Sequence, residues 1–233
     1  MLGFTPGVRF MQTPDFANRR PLDIISEKLF FDSAGFVYRG LSWLDYAKKT
    51  GSITTLLYSV LETRLAIEHL LFEELIMSVG GQLDRKEYEK CKGSGTKLAK
   101  IIRRLSPDYR QLVVFTRTIS SLIPNSPPLI EWEHEKLLKH WGALSSFLHW
   151  AGEAKETFES SQWYMRGLET AEHAATYLWE KMRAGYAGVM MPEKMQPEIR
   201  QTWEDYKAGK IDLSSVRERA RIALPVLSMR IKT

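Results

Sequence analysis

Arg64, Glu68 and His69 sit in one apolar run, Leu56 to Met77, which reads LLYSVLETRLAIEHLLFEELIM. An arginine can hold a phosphate through its planar fork of donors, and a histidine can move a proton near neutral pH. At roughly 100° per residue, Leu57, Val60, Leu61, Leu71, Phe72 and Leu75 form one apolar arc of a helix. Arg64 and Glu68 project from the middle of that arc as an i,i+4 pair, with His69 at its edge. A charge taken out of water is costly unless it is paired and hydrogen-bonded. Arg64 and Glu68 are therefore expected to touch each other or to share one polar partner. A second pair, Ser145 and His149, lies one turn apart on a later helix, and their flank is expected to face the Arg64 helix. Two readings follow. In one, Arg64 and Glu68 fix helix register and His149 bonds a backbone carbonyl. In the other, antiparallel helices bring Arg64, Glu68, His69, Ser145 and His149 together at a cleft or a dimer seam.

Other chemistries lack their residues. HExxH is absent, ExxH pairs are not duplicated at helical spacing, and Glu131, Glu133, His134 and Glu135 read as an acidic first turn favoured by the helix dipole. No metal site is expected. Cys91 stands in a Lys/Glu-rich passage without a neighbouring histidine, which argues against a thiol nucleophile. GSGT, at Gly93 to Thr96, is too short to cradle phosphates, and neither GxxxxGK[ST] nor GxGxxG occurs, so no cofactor is expected.

The elements that must position these groups are helical, because helical periodicity dominates and no run alternates with period two. Residues 1–20 read as an N-terminal arm that packs on the body. Pro21 suits a first helical turn, after which Ile25, Leu29, Phe36, Val37, Leu41, Leu44 and Ala47 recur at helical spacing. Lys48, Lys49 and Gly51 make a basic last turn and a C′ glycine; Ser52 can cap the Arg64 helix, which stops at Gly80 and Gly81. Leu98, Ile101, Ile102 and Leu105 resume the pattern. Ser106 and Pro107 introduce a helix from about Asp108 to Leu122, and IPNSPP, Ile123 to Pro128, cannot be helical. Further helices are expected over Leu129 to Glu159, Trp163 to Arg183, Pro197 to Ala208 and Ser214 to Met229, the last interrupted by Pro225. The expected architecture is all-α: an antiparallel bundle of about five long helices over 21–185, with a small helical extension over 186–233.

Composition sets outer limits. The chain has 233 residues, 44% of them hydrophobic, and a net charge of +5. This is enough for a real core, and the mild positive charge is compatible with an acidic partner such as RNA. A single cysteine precludes an internal disulfide and suits a reducing compartment. The opening MLGFTPGVRFMQTPDF lacks the features of a signal peptide, and no stretch has about 18 uncharged apolar residues. A cytoplasmic protein without a membrane span is expected.

RLAIEH, Arg64 to His69, resembles the Arg-x4-His motif of the HEPN superfamily, and KHWGALSSFLHW, Lys139 to Trp150, is similar to the LSxxxH helix of HEPN-like proteins that carry an earlier R-x-x-x-E helix. The resemblance covers roughly residues 22–184. It implies a small helical domain that forms a homodimer. Many such proteins are metal-independent endoribonucleases of toxin–antitoxin or phage-defence systems; others have lost activity and only bind. Carried onto this chain, Arg64 would contact the scissile phosphate and His69 would transfer a proton at the 2′-hydroxyl. Leu65 is apolar where active members have a polar residue, and the motif falls on an early helix. The expectation is thus a non-catalytic HEPN-like interaction module, homodimeric and associated with a bacterial defence or toxin–antitoxin type system, with a partner protein or RNA as candidate partners. The alternative is a metal-independent ribonuclease using Arg64 and His69, with Glu68, Ser145 and His149 as further site residues.

Overall fold

The computed structural model describes residues 15–26, 32–78, 86, 89, 109–148, 161–185 and 189–230, and among them it is all-α. The helices are α1 (Pro21–Ser26), α2 (Ser33–Thr50), α3 (Ile53–Ser78), α4 (Tyr109–Ser120), α5 (His134–Leu148), α6 (Ser161–Ala184), α7 (Pro197–Lys207) and α8 (Leu213–Arg230), with a 3-10 turn at Pro192–Lys194. Expectations for residues 1–14, for the passage around Cys91, for Leu98 to Leu105, for Ser106 and Pro107 and for His149 to Glu159 lie outside the described residues.

Local chemistry sets the ends of α2. Asp32 accepts the Gly35 amide at 2.8 Å as the N-cap. From α3, the Glu73 carboxylate accepts the Ser33 amide at 2.9 Å and its hydroxyl at 2.7 Å, so a carboxylate complements the positive end of the helix. The helix stops at Gly51, whose φ of 68° is the left-handed conformation glycine adopts without strain; its amide donates to the Ala47 carbonyl at 2.8 Å. Ser52 then caps α3, as its position suggests.

α3 is the central element, packed against α2, α5 and α6. It crosses α2 at Gly40, where a Cβ would stand 2.7 Å from Thr63 Oγ1, and the Ser59 hydroxyl donates to the Gly40 carbonyl at 2.8 Å. Ala171, Ala174 and Ala175 of α6 are fully buried against this core with Leu56, Ile67, Leu71 and Leu75. Part of the arm packs as expected: Phe16 meets the Trp179 ring edge-on, and Tyr38 donates to the Asp15 carbonyl.

A second core forms at the other end of the chain from Leu112, Phe115 and Ile119 of α4 with Met195, Ile199, Trp203, Val216 and Ala220. α4, which by sequence falls within the 21–185 stretch, thus contributes its apolar face to the same cluster as the C-terminal helices. Three local expectations are corrected. In α1 it is Ile24 that is buried, while Ile25 is 70% exposed. α5 begins at His134 and not at Leu129; the buried Trp132 lies in the irregular stretch that leads into the helix. α8 runs through Pro225, which lies on an exposed side of the helix.

Candidate functional site

Arg64 and Glu68 are in direct contact, Nη2 to Oε1 at 3.0 Å. Their side chains are 20% and 22% exposed, so the pair stands at the rim of the buried face and not in its middle. The reason is a rotation of the buried arc. Leu56, Ser59, Val60, Thr63, Ile67, Leu70, Leu71 and Glu74 face inward, whereas Leu61 is 40% exposed. The three helices around α3 cover a wider face than one apolar arc suggests.

α5 supplies a third member. Trp141 Nε1 donates to Glu68 Oε1 at 2.8 Å, and the Arg64 guanidinium lies over the Trp141 ring at 5.1 Å from its centre. The same carboxylate oxygen therefore accepts from α3 and from α5 at once. The arginine is attracted both to that carboxylate and to the π-face of the indole. Its Nε is buried without a partner among the described residues.

His69 turns elsewhere. Five residues of helix put it about 140° around from Arg64, and its ring packs on Phe36 of α2 at 4.5 Å between centres. The Phe36 ring also carries the Arg39 guanidinium at 4.6 Å, and Arg39 is held by Glu62 at 3.0 Å. Arg64 thus faces α5 while His69 faces α2. Ser145 is buried on α5, one turn after Trp141, and its hydroxyl donates to the Trp141 carbonyl at 2.7 Å. α5 does pack on α3. His149 lies outside the described residues.

The structure gathers a second polar cluster that the sequence reading missed. Glu74 of α3 is 5% exposed. Its Oε2 meets His134 Nε2 at 2.7 Å, and its Oε1 accepts the Tyr109 hydroxyl at 3.4 Å. Three helices, α3, α4 and α5, meet at this carboxylate. Burial, and after it the charge of Glu74, pushes the Tyr109 hydroxyl well above the ordinary phenol range. One signal was available: Glu74 follows Ile67 by seven residues and Leu71 by three, which places it on their buried face.

Among the described residues no group of three or more His, Cys, Asp and Glu side chains is placed to hold a metal ion. Nor is any described helix long and apolar enough to cross a membrane. No protein-family model matches the chain, and no curated protein or solved structure is detectably similar to it.

Proposed function

We propose that this chain is a non-catalytic helical interaction module that associates with a second copy of itself through the outer face of α3. The observation that carries the reading is Glu68 Oε1, which takes both the Arg64 guanidinium at 3.0 Å and the Trp141 indole N–H at 2.8 Å. Arg64 is spent on register between α3 and α5, and His69 is spent on Phe36. A group that must stabilise charge developing on a phosphate works through donors aimed at that charge, whereas Arg64 Nη2 is engaged by Glu68 and the guanidinium lies over the Trp141 ring.

Beside this pair, Tyr58 and Leu61 are 46% and 40% exposed on the same helix, one turn apart, and the stripe continues through the half-buried Leu65. Apolar side chains of this size on an outer face favour association. Sedimentation equilibrium tests the reading together with an RNA assay in EDTA. The wild type is expected to be dimeric, Leu61→Glu monomeric and equally folded, and mixed RNAs intact. Metal-independent cleavage that His69→Ala abolishes would overturn the proposal in favour of a HEPN-type ribonuclease. A monomeric wild type would remove the α3 interface.

A further inference from the structure

Where α5 packs on α6, residues one helical turn apart on each helix bring basic side chains to one pair of rings. The His140 ring of α5 stacks on Tyr177 of α6, with 5.2 Å between centres and 29° between planes. Over the same phenol stand the ammonium groups of Lys136, 4.2 Å from the ring centre, and Lys181, 5.4 Å from it. Lys181 is answered by Glu133 at 3.2 Å. Lys136 and His173 lie one turn before His140 and Tyr177, and Lys139 directly precedes His140; all three are exposed. None of them, nor His140, has a carboxylate within ion-pair distance among the described residues.

Burial first, and then the charges of Lys136, His173 and Lys139, hold the His140 imidazole below its ordinary value. The charges that act on this ring are thus of one sign and come from both helices. α3, which also packs on α5, gives Arg64 and Glu68 to Trp141 and Glu74 to His134. No counter-charge from α3 reaches the cluster. Like charges gathered without an internal partner are relieved by an external anion. A carboxylate offsets one of them, whereas a phosphate dianion carries more charge and presents several oxygens to ammonium and imidazole donors at once.

We propose that Lys136, Lys139, His140 and His173 form a binding site for a phosphate dianion, either the free ion or the terminal group of a small phosphomonoester. The two ammonium groups hold the charge, and the two imidazoles add N–H donors at the oxygens. An anion at this point favours the charged imidazole, so phosphate and a proton bind together. This inference does not depend on the self-association reading, since it uses neither Arg64 nor the outer face of α3.

The test is an NMR titration of the histidine ring signals of the full chain with inorganic phosphate, phenyl phosphate and acetate at constant ionic strength, with His140→Gln assigning the His140 signal. Both phosphates should shift the His140 and His173 signals to saturation and raise the pH at which His140 titrates by about one unit. Acetate should do neither. Phenyl phosphate binding about tenfold more tightly than inorganic phosphate would support the phosphomonoester as the source, and equal or weaker binding would support the free ion. Lys136→Ala with Lys139→Ala, at two exposed positions and checked for an unchanged thermal melt, should weaken phosphate binding about tenfold or more. Without phosphate, the same variant should by itself raise the pH at which His140 titrates, because two like charges are gone. His173→Gln, also exposed, should weaken binding to a smaller extent. An acetate response equal to that of phosphate, shifts that grow without saturating, or undiminished binding in the lysine variant would overturn the proposal.

Discussion

Two carboxylates of α3, six residues apart, both reach polar groups carried by α5, and they do so under opposite conditions. Glu68 stands at the rim, about a fifth exposed, and answers a permanent cation and an indole. Glu74 is buried and answers an imidazole and a phenol. A rim pair keeps some hydration when one partner is lost, whereas a buried carboxylate depends wholly on its donors. The energetic weight should therefore lie at Glu74, the residue without an adjacent arginine to advertise it.

The largest effect expected is at that site. Glu74→Ala leaves the His134 ring and the half-buried Tyr109 hydroxyl without their acceptor and should lower the unfolding free energy by about 3 kcal/mol or more. A guanidinium denaturation series measures this, and a loss below about 1 kcal/mol would erase the contrast with Glu68. Next comes Arg64→Ala. Full burial of the pair would imply about 3 to 5 kcal/mol, and a wholly exposed pair less than about 1. With the side chains a fifth exposed, and Trp141 still bonded to Glu68, about 1 to 2 kcal/mol is expected in the same experiment. A cost equal to that of Glu74→Ala would show that the two sites do not differ.

A smaller effect separates the sites by pH. The Tyr109 hydroxyl titrates above its ordinary value in the folded protein. A group raised on folding contributes stability that is complete below its unfolded value, about 10, and lost as pH rises through the folded one. Wild-type stability should therefore decline between about pH 10 and 11 more steeply than that of Tyr109→Phe, while Arg64→Ala keeps the wild-type slope. Parallel slopes for wild type and Tyr109→Phe would place the alkaline transition elsewhere.

The helical class was legible in the sequence because apolar periodicity and end signals agree: Pro21 opens α1, Gly51 closes α2, and the prolines of 123–128 keep that stretch out of any helix. The Arg64–Glu68 contact was legible from i,i+4 spacing alone. Their depth was not, because one helix's apolar arc does not say how many neighbours cover it. α3 is enclosed by three, so Ser59, Thr63 and Glu74 are buried while Leu61 is not. Trp141 as a donor to Glu68, and the joining of Tyr109 to Glu74 across 35 residues, follow from how helices pack. Local propensity carries no record of it. The contribution of α4 to the C-terminal core is of the same kind: its apolar face is evident in LVVFTRTI, but its partner is not.

The claim that Arg64, Glu68 and Trp141 form a register-setting contact between α3 and α5 is tested most directly by a double-mutant cycle of Glu68→Ala and Trp141→Phe on unfolding free energy. Phenylalanine keeps an aromatic ring beneath Arg64 and removes only the N–H donor. The account predicts a coupling of about 1 to 2 kcal/mol, as for a hydrogen bond to a charged acceptor. Strictly additive losses from the two substitutions would contradict it.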